Sequence, residues 1–215
     1  MHEGREFHGN LAPADARIRS RKRLPHWEAP KAIYFVTFRL YDSLPRGTAQ
    51  AVVTERNDIF GTAKQQGRAH SASERERLSR LFSVRIEQYL DRGVGACYLA
   101  KPTIARGVAD ALKHFDGTRY HLHAWCVMPN HVHVVLEPRG NYSLAGILHS
   151  WKSYTAQLAN RILGRTGPFW QREYYDHLIR DGKQYSRSIR YVAENPTRAG
   201  LQEWPWVEVR SRGGI

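Results

Sequence analysis

The feature that most constrains the fold is a pair of apolar stretches on either side of a Pro-Asn turn, in YHLHAWCVMPNHVHVVLEP (residues 120–138). Along HVHVVLEP, polar and apolar residues alternate as in a strand with one face on a core, and Pro-Asn is typical of a turn. The stretch therefore predicts a β-hairpin.

Further strands and helices are predicted on both sides of this hairpin. AIYFVTFRL (residues 32–40) alternates and predicts a central strand, and residues 167–180 return to an extended pattern. Apolar residues at helical spacing predict helices over about 103–115 and 144–163. The stretch 47–92 is polar and helix-prone, with a break at 67–73.

Caps and stops define the two C-terminal helices. Ser143 is expected to cap the 144–163 helix, and Asp181 is expected to cap a last helix that ends at ENP, because a residue before proline is disfavoured in the helical region. The buried stripe of the 144–163 helix is predicted to contain Leu144, Ile147, Leu148, Trp151, Leu158 and Ile162.

The order of these elements predicts an α+β fold, in which helices pack on an antiparallel sheet. With 215 residues, the chain is long enough for one sizeable domain. We predict a basic N-terminal arm over residues 1–30, a single domain over 31–205 with a helical insertion at about 43–92, and a C-terminal tail over 206–215.

The charge of the chain favours a polyanionic partner, with nucleic acid first. Lys and Arg number 33 against 20 Asp and Glu, which gives a net charge of +13. An anionic membrane surface is the alternative, but no apolar run approaches the roughly 20 residues of a spanning helix, and no signal peptide is visible. The two cysteines provide no disulfide framework. We expect no membrane partner and a soluble cytoplasmic protein associated with the nucleoid.

Part of this charge lies near the N-terminus, in RIRSRKR. This segment lacks hydrophobic periodicity and predicts a flexible arm that contacts DNA phosphates, with a merely solvated tail as the alternative. Its basic residues are Arg17, Arg19, Arg21, Lys22 and Arg23.

Two histidines in the second strand of the hairpin are candidates for a metal site. Side chains alternate along a strand, so Val132 and Val134 can fill the core while His131 and His133 lie together on the other face. Imidazoles are common ligands of divalent metals, but two strand histidines at this spacing also occur by chance. His121 and His123 have the same spacing, and we interpret that pair as mainly structural.

A tyrosine in the last helix lies off its apolar stripe. Tyr185, Ile189 and Val192 form the stripe, whereas Tyr191 falls on the polar side with Asn195 one turn later. An ordinary half-exposed tyrosine is the alternative. Tyr154 is a competing candidate for a nucleophile, but its position on or beside the stripe of the long helix is better explained by packing.

The motifs in their order resemble the HUH single-tyrosine nucleases, and specifically the REP-associated tyrosine transposases of bacteria. YFVTFRL is similar to the first strand of that family, WCVMPNHVHVVLEP to its His-hydrophobic-His hairpin, FWQREYYDHLIRD to its next signature, and YVAENPTRAGL to its tyrosine helix. The resemblance covers roughly residues 30–42 and 96–203. It implies a ferredoxin-like or RRM-like HUH nuclease fold.

The resemblance also implies roles for individual residues. Tyr191 would be the catalytic nucleophile, and His131 and His133 would be ligands of Mg²⁺ or Mn²⁺. Asn195 occupies the position of a third, amide-type ligand. Other residues able to complete the ligand set are Asp176, Glu137 and His177.

By this resemblance, the protein is a transposase that cleaves and rejoins single-stranded DNA at REP-like hairpins through a 5′-phosphotyrosine intermediate. A homodimer is compatible with the sequence. Trp170 and Arg172 are expected to contact the DNA, and Tyr174 and Tyr175 are available for base stacking, with core packing as the alternative for the aromatics. The alternative functions are a noncatalytic or domesticated nucleic-acid-binding module and a purely hydrolytic metal-dependent nuclease.

Overall fold

The computed structural model describes residues 17–21, 24–28, 32–45 and 87–210, together with scattered residues between 47 and 77. In chain order, its strands and helices are β1 (Arg17–Arg21), β2 (Leu24–Glu28), β3 (Ile33–Arg39), α1 (Glu87–Asp91), a 3-10 turn (Tyr98–Ala100), α2 (Pro102–His114), β4 (Tyr120–Val127), β5 (His131–Pro138), α3 (Leu144–Leu163), β6 (Tyr175–Ile179), α4 (Gly182–Arg198) and β7 (Val207–Val209).

Five strands form one antiparallel sheet in the order β6-β3-β5-β4-β7. The predicted hairpin is present as β4 and β5, and a bulge interrupts its register between Leu122 and Ala124. β3 pairs on both sides, as expected of an inner strand, although β5 rather than β3 is the middle strand. The predicted α+β class, with helices on an antiparallel sheet, is confirmed.

Helices cover both faces of this sheet. On one face, α2 and α3 pack on the even-numbered side chains of β3 and β5, among them Val36, Phe38 and Val134. On the other face, Val192 of α4 packs with a smaller apolar cluster that includes Phe35 and Val135. His131 and His133 alternate with Val132 and Val134, so they lie on the face that α4 covers.

The buried stripe of α3 differs from the prediction in its second half. Ser143 caps the helix as expected, because its side chain accepts a hydrogen bond from the Gly146 N–H. Leu158 is only half-buried and Ile162 is exposed, whereas Thr155 and Ala159 are buried. The small side chains Thr155 and Ala159 face the core here, so the prediction for Leu158 and Ile162 is wrong.

The last helix is longer than predicted. Asp181 caps α4 through a hydrogen bond from the Gln184 N–H, but the helix continues through Pro196 to Arg198. A proline in the last turn removes one hydrogen bond, and the turn remains closed because the Ala199 N–H donates to the Asn195 carbonyl at 3.0 Å. The predicted stop at ENP is therefore wrong.

The two predicted ends of the chain also contain structure. Within residues 1–30, β1 and β2 pair with each other in an antiparallel hairpin, so the expectation of an arm without regular structure is wrong for these strands. Within the predicted tail, β7 pairs with β4 and completes the sheet, so the domain extends beyond residue 205.

Those residues of the predicted insertion at 43–92 that the structure describes are mainly helical, with a turn at residues 66–68. Much of the insertion lies outside the described residues. Among the helices that are described, none combines the length and the apolar character that a bilayer-spanning segment needs.

Candidate active site

The candidate site is built around the two histidines at the start of β5. His131 and His133 are fully buried, and their Nε2 atoms face each other at a distance of 2.9 Å. Their rings meet edge to face, with centroids 4.6 Å apart. The structure therefore brings both imidazoles to one point on the sheet face under α4, as strand alternation predicts.

Uncharged partners hold the outer nitrogen of each imidazole. His131 Nδ1 lies 2.7 Å from Asn130 Oδ1, and the Asn130 amide group in turn donates to the Val94 carbonyl at 2.9 Å. His133 Nδ1 lies 2.8 Å from Thr37 Oγ1 on the neighbouring strand. Sequence reasoning missed both partners, although Asn130 directly precedes the histidine motif and Thr37 lies on the same face as His133.

The environment keeps both imidazoles neutral. Burial lowers the pKa of His133 to about 3, and burial together with the neighbouring His133 lowers the pKa of His131 well below its ordinary value. Because the Asn130 carbonyl oxygen accepts a hydrogen bond, the network assigns the proton of His131 to Nδ1 and leaves a lone pair on Nε2. This is the protonation state that a metal ligand requires.

Tyr191 lies beside this pair. Its ring meets the His133 ring edge-on at a centroid distance of 5.2 Å and also packs against Phe35 at 5.7 Å. The Arg198 guanidinium carbon lies 5.3 Å from the centre of the Tyr191 ring. Tyr191 is thus half-buried and directed at the histidines, rather than on an exposed polar side of the helix.

Asn195, one turn after Tyr191, has an unusual environment. Its side chain is fully buried, and within the described part of the chain neither amide atom has a partner at full hydrogen-bond geometry. The Asp91 carboxylate of α1 lies close enough for the Asn195 amide to favour its charged form. Buried amide groups without partners are rare, and a bound water or ion is one group that satisfies them. The third ligand position that the sequence suggested is therefore compatible with the structure.

The residues present fit a divalent metal ion. The donor set suits such an ion, because two neutral imidazole nitrogens converge at 2.9 Å and the buried Asn195 amide belongs to the helix that covers them. Among the described residues, no group of three or more His, Cys, Asp and Glu side chains is arranged for metal binding. The candidate ligands remain those that the sequence suggested, His131, His133 and Asn195.

The alternative third ligands are less well placed. Asp176 is paired with Val36 in the sheet register and so belongs to the opposite face. Glu137 is four residues beyond His133 along β5, roughly 13 Å away, and lies 3.8 Å from His123. His177 is on the correct face, but its Nε2 is 3.2 Å from Gln184 Oε1.

The other histidine pair and the other tyrosine lie apart from this site. The bulge in β4 breaks the alternation between His121 and His123, and His123 Nδ1 is 3.1 Å from the Tyr185 hydroxyl. This arrangement agrees with a structural role. Tyr154 is 59% exposed on α3, which packs on the opposite face of the sheet.

Of the two residues after α3 that were predicted to contact DNA, one is buried and the other is exposed. Trp170 is buried in the core, where it packs on Phe38 and its indole N–H donates to Thr155 Oγ1 at 2.9 Å. The prediction that Trp170 contacts DNA is therefore wrong, and core packing, the alternative for this residue, is the correct one. Arg172 is exposed.

The basic residues of the N-terminal segment are described only in part. Arg17, Arg19 and Arg21 belong to β1, whose side chains lie outside the described part of the structure, and Lys22 and Arg23 lie outside the described residues altogether.

Comparison with known proteins agrees with this geometry. Residues 108–195 match the family model "Transposase IS200 like", and this range includes both histidines, Tyr191 and Asn195. The chain is 31% identical over 98 residues to a Haemophilus influenzae protein described as a candidate REP-associated tyrosine transposase, with 39% of this chain and 55% of that protein covered. It is 25% identical over 92 residues to the REP-associated tyrosine transposase of Escherichia coli K12, with 40% and 53% covered.

The matched stretch thus spans about half the length of each of these two relatives. A solved structure of a REP-associated tyrosine transposase bound to a REP hairpin aligns with a TM-score of 0.48 and 16% identity, over 85% of this chain and 79% of that one. The family model and the two curated relatives confirm the resemblance that the sequence motifs indicated.

Proposed function

We propose that this protein is a tyrosine transposase that cleaves and rejoins single-stranded DNA at hairpin sequences. The observation that carries the proposal is the position of Tyr191, whose ring lies 5.2 Å from that of His133 beside a pair of neutral, converging imidazoles. A nucleophile next to a prepared metal site is the arrangement that phosphodiester cleavage requires. The match to the IS200-like transposases and the names of the two curated relatives support the same activity and a REP-like DNA hairpin as substrate.

In this proposal, His131, His133 and Asn195 hold Mg²⁺ or Mn²⁺. When bound, the ion would supply charge neutralisation on a nonbridging phosphate oxygen, which lowers the barrier to attack. Asn130 and Thr37 orient the two imidazoles, because each fixes an outer ring nitrogen. All three proposed ligands are fully buried, so a DNA phosphate reaches them only when side chains of α4 move aside.

Tyr191 performs the covalent step. Its phenol oxygen bonds to phosphorus, the bond from phosphorus to the 3′ oxygen breaks, and the phenol proton is transferred away as the 3′ oxygen becomes a hydroxyl. The 5′-phosphotyrosine keeps the energy of the broken bond, so attack by another 3′-hydroxyl rejoins strands without an external energy source. The Arg198 guanidinium beside the ring can attract the negative charge of the phosphate.

The experiment is to trap the covalent adduct. Wild-type protein with Mn²⁺ and a labelled DNA hairpin with a single-stranded flank should yield a protein–DNA adduct that resists denaturant. Tyr191→Phe removes one oxygen and keeps the ring, so it should bind the hairpin and yield no adduct. Tyr154→Phe is the matched control, because this exposed tyrosine lies on the other side of the sheet, and it should form the adduct normally.

Two results would contradict the proposal in different ways. An adduct that persists in Tyr191→Phe assigns the covalent bond to another residue. Cleavage by the wild type without any adduct indicates a hydrolytic nuclease, and binding without cleavage indicates a noncatalytic module.

A further inference from the structure

Arg39 lies on the same sheet face as the two histidines. In the register of β3 and β5, Thr37 is directly opposite His133 and Arg39 is directly opposite His131. Directly opposite residues of an antiparallel pair point to the same face. The core-facing neighbours of Arg39 are Phe38 and Leu40, which confirms that its own side chain points away from that core.

Arg39 and Tyr191 lie at opposite ends of the histidine pair. Tyr191 packs against Phe35 of β3 and His133 of β5, so it lies at the His133 end of the histidine pair. Arg39 is four residues beyond Phe35 along the same strand, about 13 Å further on, at the His131 end. The backbone of β3 thus places Arg39 and Tyr191 on opposite sides of the histidine pair.

The guanidinium of Arg39 is largely buried, and few described groups satisfy its charge or its hydrogen-bond donors. Burial lowers the pKa of Arg39 to about 10, yet the group remains charged at neutral pH. Its Nη1 donates to Ser43 Oγ at 3.1 Å, and the Ser43 hydroxyl is committed to the Leu40 carbonyl at 2.9 Å. Within the described part of the chain, no carboxylate forms an ion pair with Arg39.

One described cation, Lys152 of α3, lies near Arg39, and one carboxylate, that of Glu173, lies near Lys152. Lys152 is close enough that the charge of Arg39 lowers its pKa, and Lys152 donates to the carbonyls of Gln171 and Arg172 at 2.8 and 2.7 Å. The negative charge of Glu173 has the opposite effect and raises the pKa of Lys152. A guanidinium has five donors, and a buried one is normally satisfied by a carboxylate or a phosphate.

We infer that Arg39, oriented by Ser43, binds a backbone phosphate of the substrate strand on the side of the histidine pair opposite Tyr191. This inference rests on the proposed function, since it assumes that the ligand is single-stranded DNA. A guanidinium presents paired N–H donors that match two oxygens of one phosphate, which gives both affinity and position. Arg39 thus sets which phosphate of the strand lies beside the phenol.

The test measures whether Arg39 is coupled to one particular phosphate. All proteins carry Tyr191→Phe so that nothing is cleaved. The probe is a DNA hairpin with a single-stranded flank, selected for binding from a randomised pool, in which single phosphates are replaced in turn by neutral methylphosphonates. At one position the neutral linkage should weaken binding by roughly 10- to 100-fold, the range expected for a hydrogen bond to a charged group.

In the Arg39→Met protein, the same linkage should change binding by less than about twofold, because its partner is already absent. Arg106→Met is the matched control, since this arginine is exposed on α2 on the opposite face of the sheet, and it should keep the full effect. Ser43→Ala should reduce the effect without removing it.

A purely structural role for Arg39 predicts different results. Removal of a buried cation without a counterion should leave the melting temperature unchanged or raised, whereas removal of a structural interaction should lower it. If every methylphosphonate has the same effect in both proteins, or if no DNA binds at all, the inference is wrong. If Arg39 is coupled to one phosphate but no adduct forms with Tyr191 intact, the inference stands and the proposed chemistry fails.

Discussion

Asn130 and Thr37 differ in how strictly they fix the position of the proton on the two imidazoles. The Asn130 amide is fixed by its bond to the Val94 carbonyl, so His131 has only one favourable tautomer. The Thr37 hydroxyl can either donate or accept, so His133 can carry its proton on either nitrogen. Without metal, His133 Nε2–H can donate to His131 Nε2; with metal, the proton of His133 must lie on Nδ1. Thr37 permits both states without loss of a hydrogen bond.

The histidine pair is the basis of a prediction about metal dependence. In the variant with both His131→Ala and His133→Ala, cleavage should fall by roughly a thousandfold, since a bound metal supplies several kcal/mol of transition-state stabilisation. Hairpin binding, measured by fluorescence anisotropy, should be largely retained because it depends on contacts elsewhere. Calorimetry with Mn²⁺ should show binding to wild type and none to the variant.

The matched control is His121→Ala, which removes a histidine of the adjacent strand and should keep both cleavage and Mn²⁺ binding. Wild-type cleavage that continues at the same rate in excess chelator would contradict the prediction.

At the scale of single residues, local periodicity predicted more than pairing between distant segments. Strand alternation brought His131 and His133 to one face because it depends only on neighbouring residues. The positions of Thr37 and Arg39 opposite the two histidines were missed, because they depend on the register between β3 and β5, which no local pattern specifies. Trp170 was assigned to the DNA although an aromatic residue fits a core equally well.

The helices show a related limit at the scale of elements. In α3, the large apolar residues were predicted to form the buried stripe. The helices α2 and α3 approach each other so closely that small side chains are buried between them and the sheet instead. A side-chain carbon added to Gly107 of α2 would lie 2.2 Å from a methyl group of Leu158, so Leu158 covers a glycine rather than filling the core. Thr155 and Ala159 are buried instead. Sequence periodicity locates a helix well, but the width of its buried face depends on its neighbour.

Lys152 links α3 to the loop before β6, and this link should depend on pH. Burial lowers the pKa of Lys152 from an ordinary value of 10.5 to about 8. Between these values the unfolded chain binds the proton more tightly, so the free energy of unfolding should rise with pH through this window. The full penalty of the buried charge is present below about pH 8.

Urea unfolding at several pH values between 8 and 10.5 measures this effect. Relative to wild type, Lys152→Met should show a smaller rise in the free energy of unfolding with pH, by on the order of 2 kcal/mol across the window. Lys183→Met is the control, because this lysine is exposed, and it should follow the wild-type curve. Parallel curves for wild type and Lys152→Met would show that Lys152 titrates as in water.

At the scale of the whole molecule, the two faces of the sheet differ in what they carry. One face packs on α2 and α3 and supplies most of the core, whereas the other face carries the histidines, Arg39 and the tyrosine helix α4. The sequence predicted this layered architecture because each element has its own pattern. It did not predict that β7 forms one edge of the sheet, since a three-residue strand has too little periodicity to detect.

In the proposed function, the net charge of +13 adds long-range attraction for DNA to the contacts of the site. RIRSRKR places five cations within seven residues, and we propose that they contact phosphates without reading the base sequence. Deletion of residues 1–25 should therefore weaken binding to all single-stranded DNAs by similar factors. It should also reduce the slope of log affinity against log salt, by roughly 0.7 for each phosphate that the shortened protein no longer neutralises.

Fluorescence anisotropy titrations from low to moderate salt, with a hairpin and with an unstructured strand, measure both quantities. A full-length chain in which Arg17, Arg19, Arg21, Lys22 and Arg23 are all replaced by Gln separates charge from chain length, and its slope should match that of the deletion. If the slope of either protein equals that of the wild type, the segment does not contact the DNA backbone. If only the hairpin loses affinity, the segment reads the shape of the hairpin, because a purely electrostatic contact weakens binding to every strand alike.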